Sequence, residues 1–181
     1  MFKELNILRL FFEEPNREFN VREVARILKK SPATASKELK RFAKQGILKE
    51  REEKIYIFYK ANIESDAYRD LKIYYNIRKI KESGLLEALN RFYLYPTIVL
   101  FGSAAFGLDT ETSDFDLLVI SEKTKIPNLK HYEEALKREL HIIPVRKISE
   151  IKNKHLINNI VNGIVIAGNL RWTYKNASEK G

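Results

Sequence analysis

Apolar positions in the first eighty residues fall at the helical period, and beyond them short unbroken apolar runs appear. Residues 1–14 place Leu5, Leu8 and Phe12 on one side and stop at Pro15-Asn16, which predicts a first helix. Asn20 is a helix cap ahead of residues 21–30, where Val24, Ile27 and Leu28 are expected to face inward. Ser31-Pro32 puts a cap before a first-turn proline and opens a third helix over 33–45. Ala35, Leu39 and Phe42 line its inner side, and Gly46 is its stop. Residues 47–50 and 55–59 predict a hairpin around Arg51, Glu52, Glu53 and Lys54. Residues 63–83 read as one long helix. Its stripe is Ala67, Leu71, Tyr74, Ile77 and Ile80, widened by Tyr68, Tyr75 and Arg78 and ended by Gly84. Such a stripe needs a cover, either its own chain or a second copy in a homodimer through residues 63–83.

After a short helix over 85–92 the pattern changes. Ile98-Val99-Leu100-Phe101 and Leu117-Leu118-Val119-Ile120 are continuous apolar runs bounded by turn residues, as in strands buried on both faces. A helix over 128–137, a third strand over 140–145, and a helix over 150–162 capped by Ser149 follow. Residues 163–168 close the fold, and 175–181 are expected to be disordered. The pattern is that of an α+β chain.

Composition narrows the class. The 181 residues allow one or two domains. There is no cysteine, which excludes a disulfide framework and a cysteine-based zinc site. No apolar run reaches the length of a membrane span and no signal-peptide pattern opens the chain, so the protein is expected in the cytoplasm, away from membranes. The net charge is +9. Residues 1–60 hold 15 Lys and Arg against 9 Asp and Glu, a net +6, which points to an anionic partner for the first third of the chain.

The chemistry gathers between the two apolar runs. Gly102-Ser103 follows the first run at once, ten residues intervene, and Asp114-Phe115-Asp116 leads into the second. Alternation along a strand puts Asp114 and Asp116 on one face and Phe115 on the other. Two carboxylates held close repel unless a cation sits between them, and hard oxygen ligands suit Mg2+, which takes one or two carboxylates plus substrate phosphates. Gly102 lets the backbone approach a ligand, Ser103 adds a hydroxyl, and Ala104-Ala105-Phe106 is expected to open a helix whose free N–H groups attract anions. Asp109 and Glu111, in the polar loop before the pair, are expected to be solvated, as are His131 and His155 on their helices.

This Gly-Ser, ten-residue, Asp-x-Asp pattern between apolar strands resembles the DNA polymerase beta-type nucleotidyltransferase superfamily, and most of all its minimal nucleotidyltransferase branch, over about residues 85–170. The resemblance implies Mg2+ (or Mn2+) on Asp114 and Asp116. It also implies that Gly102 and Ser103 hold the triphosphate of ATP or another nucleoside triphosphate. The family's catalysts draw a third carboxylate from a later strand. Here that strand reads Glu139-Leu140-His141-Ile142, with His141 at the acid's position and Glu139 two residues earlier on the same face. Either is a candidate base, although a neutral imidazole suits Mg2+ poorly.

Residues 21–48 resemble a winged helix-turn-helix of archaeal and bacterial regulators. The resemblance implies that the third helix enters the major groove of double-stranded DNA. Thr34, Ser36, Lys37, Lys40, Arg41 and Lys44 lie on or near its exposed side, the first three nearest base edges. Glu50, Glu52 and Glu53 in the wing would repel phosphates there, and a winged helix also serves as a plain interaction module. The expected organisation is a winged helix over 1–62 and a connecting helix over 63–84. A minimal nucleotidyltransferase-like domain with a mixed sheet and flanking helices then spans 85–172, with a tail at 173–181. Two functions stay open. One is transfer of a nucleoside monophosphate, AMP first, to a hydroxyl of a protein or nucleic acid. The other is a DNA-binding regulator whose transferase-like half binds nucleotide or a partner without turnover.

Overall fold

The computed structural model describes residues 6–170, so Leu5 and the expected tail at 173–181 lie outside it. The fold is α+β, with helices and a small antiparallel sheet first and a mixed four-stranded sheet with its helices second.

The first unit begins with α1 (Leu8–Glu13), α2 (Val21–Ile27) and α3 (Pro32–Lys44). The caps read from sequence are present: the Asn20 side chain accepts from the Glu23 N–H, and Ser31 from the Thr34 N–H. α2 is shorter than expected, because Lys29 turns to a left-handed φ of 52° just beyond it. Ile27 is consequently exposed rather than inward. Ala35, Leu39 and Phe42 are buried as expected.

A hairpin follows, β2 (Leu48–Glu53) and β3 (Tyr56–Ala61), and it is longer than its apolar pattern indicated. Arg51, Glu52 and Glu53 belong to β2, and the turn falls on Lys54 and Ile55. After Leu48 every residue of β2 is exposed, so no alternation marks it as a strand. A two-residue strand, β1 (Phe19–Asn20), pairs with β3 to complete a sheet of order β1-β3-β2. Two residues are too few to show a period.

The long helix α4 (Asp66–Glu82) is capped by Ser65. Its buried face is Tyr68, Lys72, Tyr75, Asn76 and Ile80, while Ala67 is exposed. The expected stripe is therefore turned by about one residue, because two of the buried side chains are polar. The chain itself covers this face. Tyr68 and Tyr75 join the core of the first unit and Ile80 that of the second. The Tyr68 hydroxyl donates to the Phe11 carbonyl (2.9 Å), and the Lys72 ammonium donates to that of Phe12. These are last-turn carbonyls of α1, which have no partner within their own helix.

The second unit holds α5 (Leu85–Tyr93), β4 (Thr97–Phe101), β5 (Phe115–Ile120), α6 (Lys130–Leu136), β6 (Leu140–Val145), α7 (Lys154–Val161) and β7 (Ile164–Ala167). Ser149 caps nothing. A single 3-10 turn spans Ile148–Glu150, and Asn153 caps α7 by accepting from the His155 and Leu156 N–H groups. The strand order is β6-β5-β4-β7, with β5 and β6 parallel and the other pairs antiparallel.

Alternate residues of β4 and β5 serve two cores. Ile98, Leu100, Phe115, Leu117 and Val119 pack toward α5 and α6, whereas Val99, Phe101 and Leu118 pack with Ile160 of α7. This is why both strands read as unbroken apolar runs. Among the described residues no helix is long and apolar enough to cross a membrane.

One close approach fixes how α4 meets the second unit. Gly107 has a φ of +66°, and a Cβ there would lie 2.6 Å from the Arg69 carbonyl oxygen of α4. Gly107→Ala is expected to destabilise the protein by ~1–3 kcal/mol, from left-handed strain and the forced separation. Urea unfolding at equilibrium measures it, and a loss below ~0.5 kcal/mol, as at an unconstrained surface position, would show that the approach is not needed.

Candidate active site

Register brings the two halves of the Gly-Ser/Asp-x-Asp pattern together. β4 and β5 run antiparallel with Phe101 opposite Asp116, so the residue after β4, Gly102, comes against the start of β5. A Cβ on Gly102 would stand 2.3 Å from Asp116 Oδ2, and Gly102 has a φ of +70°. Only glycine leaves room for that carboxylate. The chain then makes a single 3-10 turn over Ser103–Phe106, not the α-helix expected there, so the helix-terminus argument for anion binding lapses. The Ser103 hydroxyl makes no hydrogen bond among the described residues.

The parallel pairing of β5 with β6 sets His141 beside Asp116, and His141 Nδ1 lies 2.9 Å from Asp116 Oδ1. An ionised carboxylate only accepts, so Nδ1 is the donor of this bond, and in the neutral form of the ring Nε2 is then the acceptor. Asp116 and His141 share the α7 side of the sheet with Leu118 and Val145, but the cover that α7 gives those two ends short of them. The His141 side chain is 58% exposed and that of Asp116 26%.

Asp114 sits just ahead of β5 and Glu139 just ahead of β6, joined by the Phe115 N–H donating to the Glu139 carbonyl (3.0 Å). Both side chains are exposed and line a cleft of about 530 Å³ that runs toward Lys130, Glu134 and Lys137 on and after α6. The structure thus groups the six candidates as Gly102, Asp116 and His141 in contact, Ser103 on the adjoining turn, and Asp114 with Glu139 at the cleft. Among the described residues no three His, Asp or Glu side chains form a ready cation cage.

Residues 82–167 match the family described as nucleotidyltransferase domain. This segment is a nucleotidyltransferase domain. No curated protein matches the chain.

The nucleotidyltransferase domain is tied to two α4 residues that precede that match, Lys72 and Asn76. Asp109, expected in solvent, is buried with its side chain at 0% exposure. Its carboxylate meets Lys72 Nζ at 3.0 Å and Arg138 Nη2 at 3.2 Å, and accepts from Asn76 Nδ2 at 2.7 Å. Asn76 Nδ2 also donates to the Ala104 carbonyl (3.1 Å), so one α4 side chain ties the Gly-Ser turn to the acidic loop. Arg138 Nη1 donates to the Ser113 carbonyl (2.8 Å), immediately before Asp114. Burial pushes the Lys72 ammonium below its usual range, and the charge and hydrogen bond of Asp109 push it back up. A lone Asp in a polar loop gives no sign of this. Lys72 and Asn76 did leave one, as polar residues four apart within an apolar stripe.

On α3, Thr34, Lys37, Lys40, Arg41 and Lys44 are exposed and Ser36 is half-buried. Thr34 Oγ1 bonds Ser31 Oγ at 2.8 Å, within the helix cap. Among the described residues Lys37, Lys40, Arg41 and Lys44 enter no ion pair. The acidic hairpin β2–β3 is partly neutralised, since Arg51 pairs with Glu53 and Glu18 at 2.6 Å each.

Gly102→Ala is expected to displace the Asp116 carboxylate and break its bond to His141 while the protein stays folded. The imidazole 15N resonances of His141 should then move toward those of an unbonded ring. Unchanged resonances would mean that Gly102 does not set the position of Asp116.

Proposed function

We propose that the protein is a divalent-cation-dependent nucleotidyltransferase that moves a nucleoside monophosphate, AMP first, from ATP or another nucleoside triphosphate to a hydroxyl of a protein or nucleic acid. The observation that carries this reading is the Asp116 carboxylate seated on Gly102, with His141 bonded to it and Asp114 two residues away. The donor set fits Mg2+ or Mn2+. Asp114 and Asp116 are hard oxygen ligands, and such an ion needs only one or two carboxylates when substrate phosphates and water complete its shell. Held there, the ion would neutralise charge on the phosphate oxygens and align the phosphates for displacement.

The chain's own groups have distinct work in this reading. The Gly102-Ser103 turn presents a close backbone and a free hydroxyl to the phosphates. The acceptor oxygen attacks the α-phosphorus, its new bond replaces the one to the β-phosphate oxygen, and pyrophosphate leaves. The acceptor's proton goes to Glu139 or to Nε2 of His141. Its Nδ1–H bond to Asp116 holds the histidine tautomer that such a base requires.

In the same proposal, the first unit is a winged helix whose α3 face, with Thr34, Ser36, Lys37, Lys40, Arg41 and Lys44, binds double-stranded DNA. Four unpaired cations on one helix support it, because each phosphate they neutralise releases counterions. A second reading, a DNA-binding regulator that holds nucleotide without transfer, is favoured by one observation: the third position is a histidine bonded to Asp116, not a free carboxylate.

Incubation with α-phosphate-labelled ATP, CTP, GTP or UTP, Mg2+ or Mn2+ and a cell extract tests the first reading. A labelled protein or RNA that disappears with Asp116→Asn is the expected result. Nucleotide binding without any label would select the regulator. For the DNA face, Lys40→Ala and Lys44→Ala are each expected to lower the slope of log affinity against log salt by roughly 1, whatever the DNA sequence. An unchanged slope would remove DNA from the account.

A further inference from the structure

We infer that Asp109 and Arg138 are positioning residues for Asp114, and that α4 sets the geometry of the site through them. The inference rests on the transferase reading for its kinetic consequence, and on geometry alone for its structural one.

Both ends of the loop from Gly107 to Phe115 are tied down. Gly107 lies against the α4 backbone, and the Leu108 N–H donates to the Ser103 carbonyl (3.0 Å). Asp109 is locked in the core by Lys72, Asn76 and Arg138. Thr110 and Ser113 close a turn on each other, the Thr110 N–H donating to Ser113 Oγ (2.9 Å) and the Ser113 N–H to the Thr110 carbonyl (3.2 Å). Arg138 holds the Ser113 carbonyl, and the Glu139 carbonyl holds the Phe115 N–H. Asp114 lies between these last two anchors, one on each side.

Arg138 is the connecting piece. Its guanidinium is planar and forked, so one end meets Asp109 Oδ2 while the other meets the Ser113 carbonyl. At 6% exposure it has little freedom to do otherwise. The direction in which Asp114 leaves the loop is therefore referred to a buried carboxylate on the α4 side. A lysine at 138 can satisfy Asp109 or Ser113, but its single ammonium lacks the fork that holds both.

The test compares wild type with Arg138→Lys and Arg138→Met. The first keeps the charge facing Asp109, and the second leaves Asp109 its contacts with Lys72 and Asn76. Three quantities are read: amide hydrogen exchange over residues 110–116, Mn2+ affinity in the presence of a non-hydrolysable ATP analogue, and kcat against KM for any transfer detected. Both variants should stay folded, exchange in the loop at least tenfold faster, and bind Mn2+ about tenfold more weakly. The loss of turnover should fall in kcat, with the KM for nucleotide nearly unchanged. Asp109→Asn should give the same loop exchange even where its melting temperature falls.

Wild-type exchange and Mn2+ affinity in Arg138→Lys would overturn the inference. So would a loss of activity in Arg138→Met carried wholly by KM. Absence of Mn2+ binding in the wild-type protein would instead defeat the transferase reading, while the exchange comparison would still decide whether Asp109 and Arg138 place the loop.

Discussion

A buried cation on a helix and a buried anion on a loop fix how the parts of this structure meet. Lys72 and Asp109 have fully buried side chains 3.0 Å apart, and Arg138 is a second cation on the same carboxylate at 3.2 Å. Through Lys72 the pair reaches the Phe12 carbonyl at the end of α1. Through Asn76 it reaches the Gly-Ser turn, and through Arg138 the residue before Asp114. Replacing a buried pair with apolar residues is often neutral, so the pair adds little net stability. Its consequence is register: α4 and the loop before Asp114 meet in one way, and Asp114 inherits that geometry.

The part of the sequence that obeys hydropathy was readable. The helix caps at Asn20 and Ser31, the inner face of α3 and the strands β4 to β6 all follow from local rules. What was unreadable is polar and buried, or apolar and too short. β1 has two residues, and β2 buries only Leu48, so neither shows a period. α4 was placed one residue out because Lys72 and Asn76 count as surface residues on any hydropathy scale. Asp109 looked like its exposed neighbour Glu111, and only tertiary contact separates them.

Both ends of the apolar stripe of α4 pack within the chain. The helix is the floor of the nucleotidyltransferase domain and the wall of the first unit at once. The family match begins at residue 82, where α4 ends, so the groups that tie the site to the rest of the protein precede it. His141 is the counterpart within the domain. It stands in register with Asp116, its Nδ1 2.9 Å from that carboxylate.

A double-mutant cycle in urea unfolding tests the dependence on the buried pair most directly, using Lys72→Met, Asp109→Leu and the two together. Asp109→Leu strands both Lys72 and Arg138 and should cost ~3–5 kcal/mol, Lys72→Met leaves Asp109 its bonds to Arg138 and Asn76 and should cost less, and the double variant should cost less than the two losses summed, a coupling of ~1–3 kcal/mol. Losses that simply add, with no coupling between the two positions, would contradict the account.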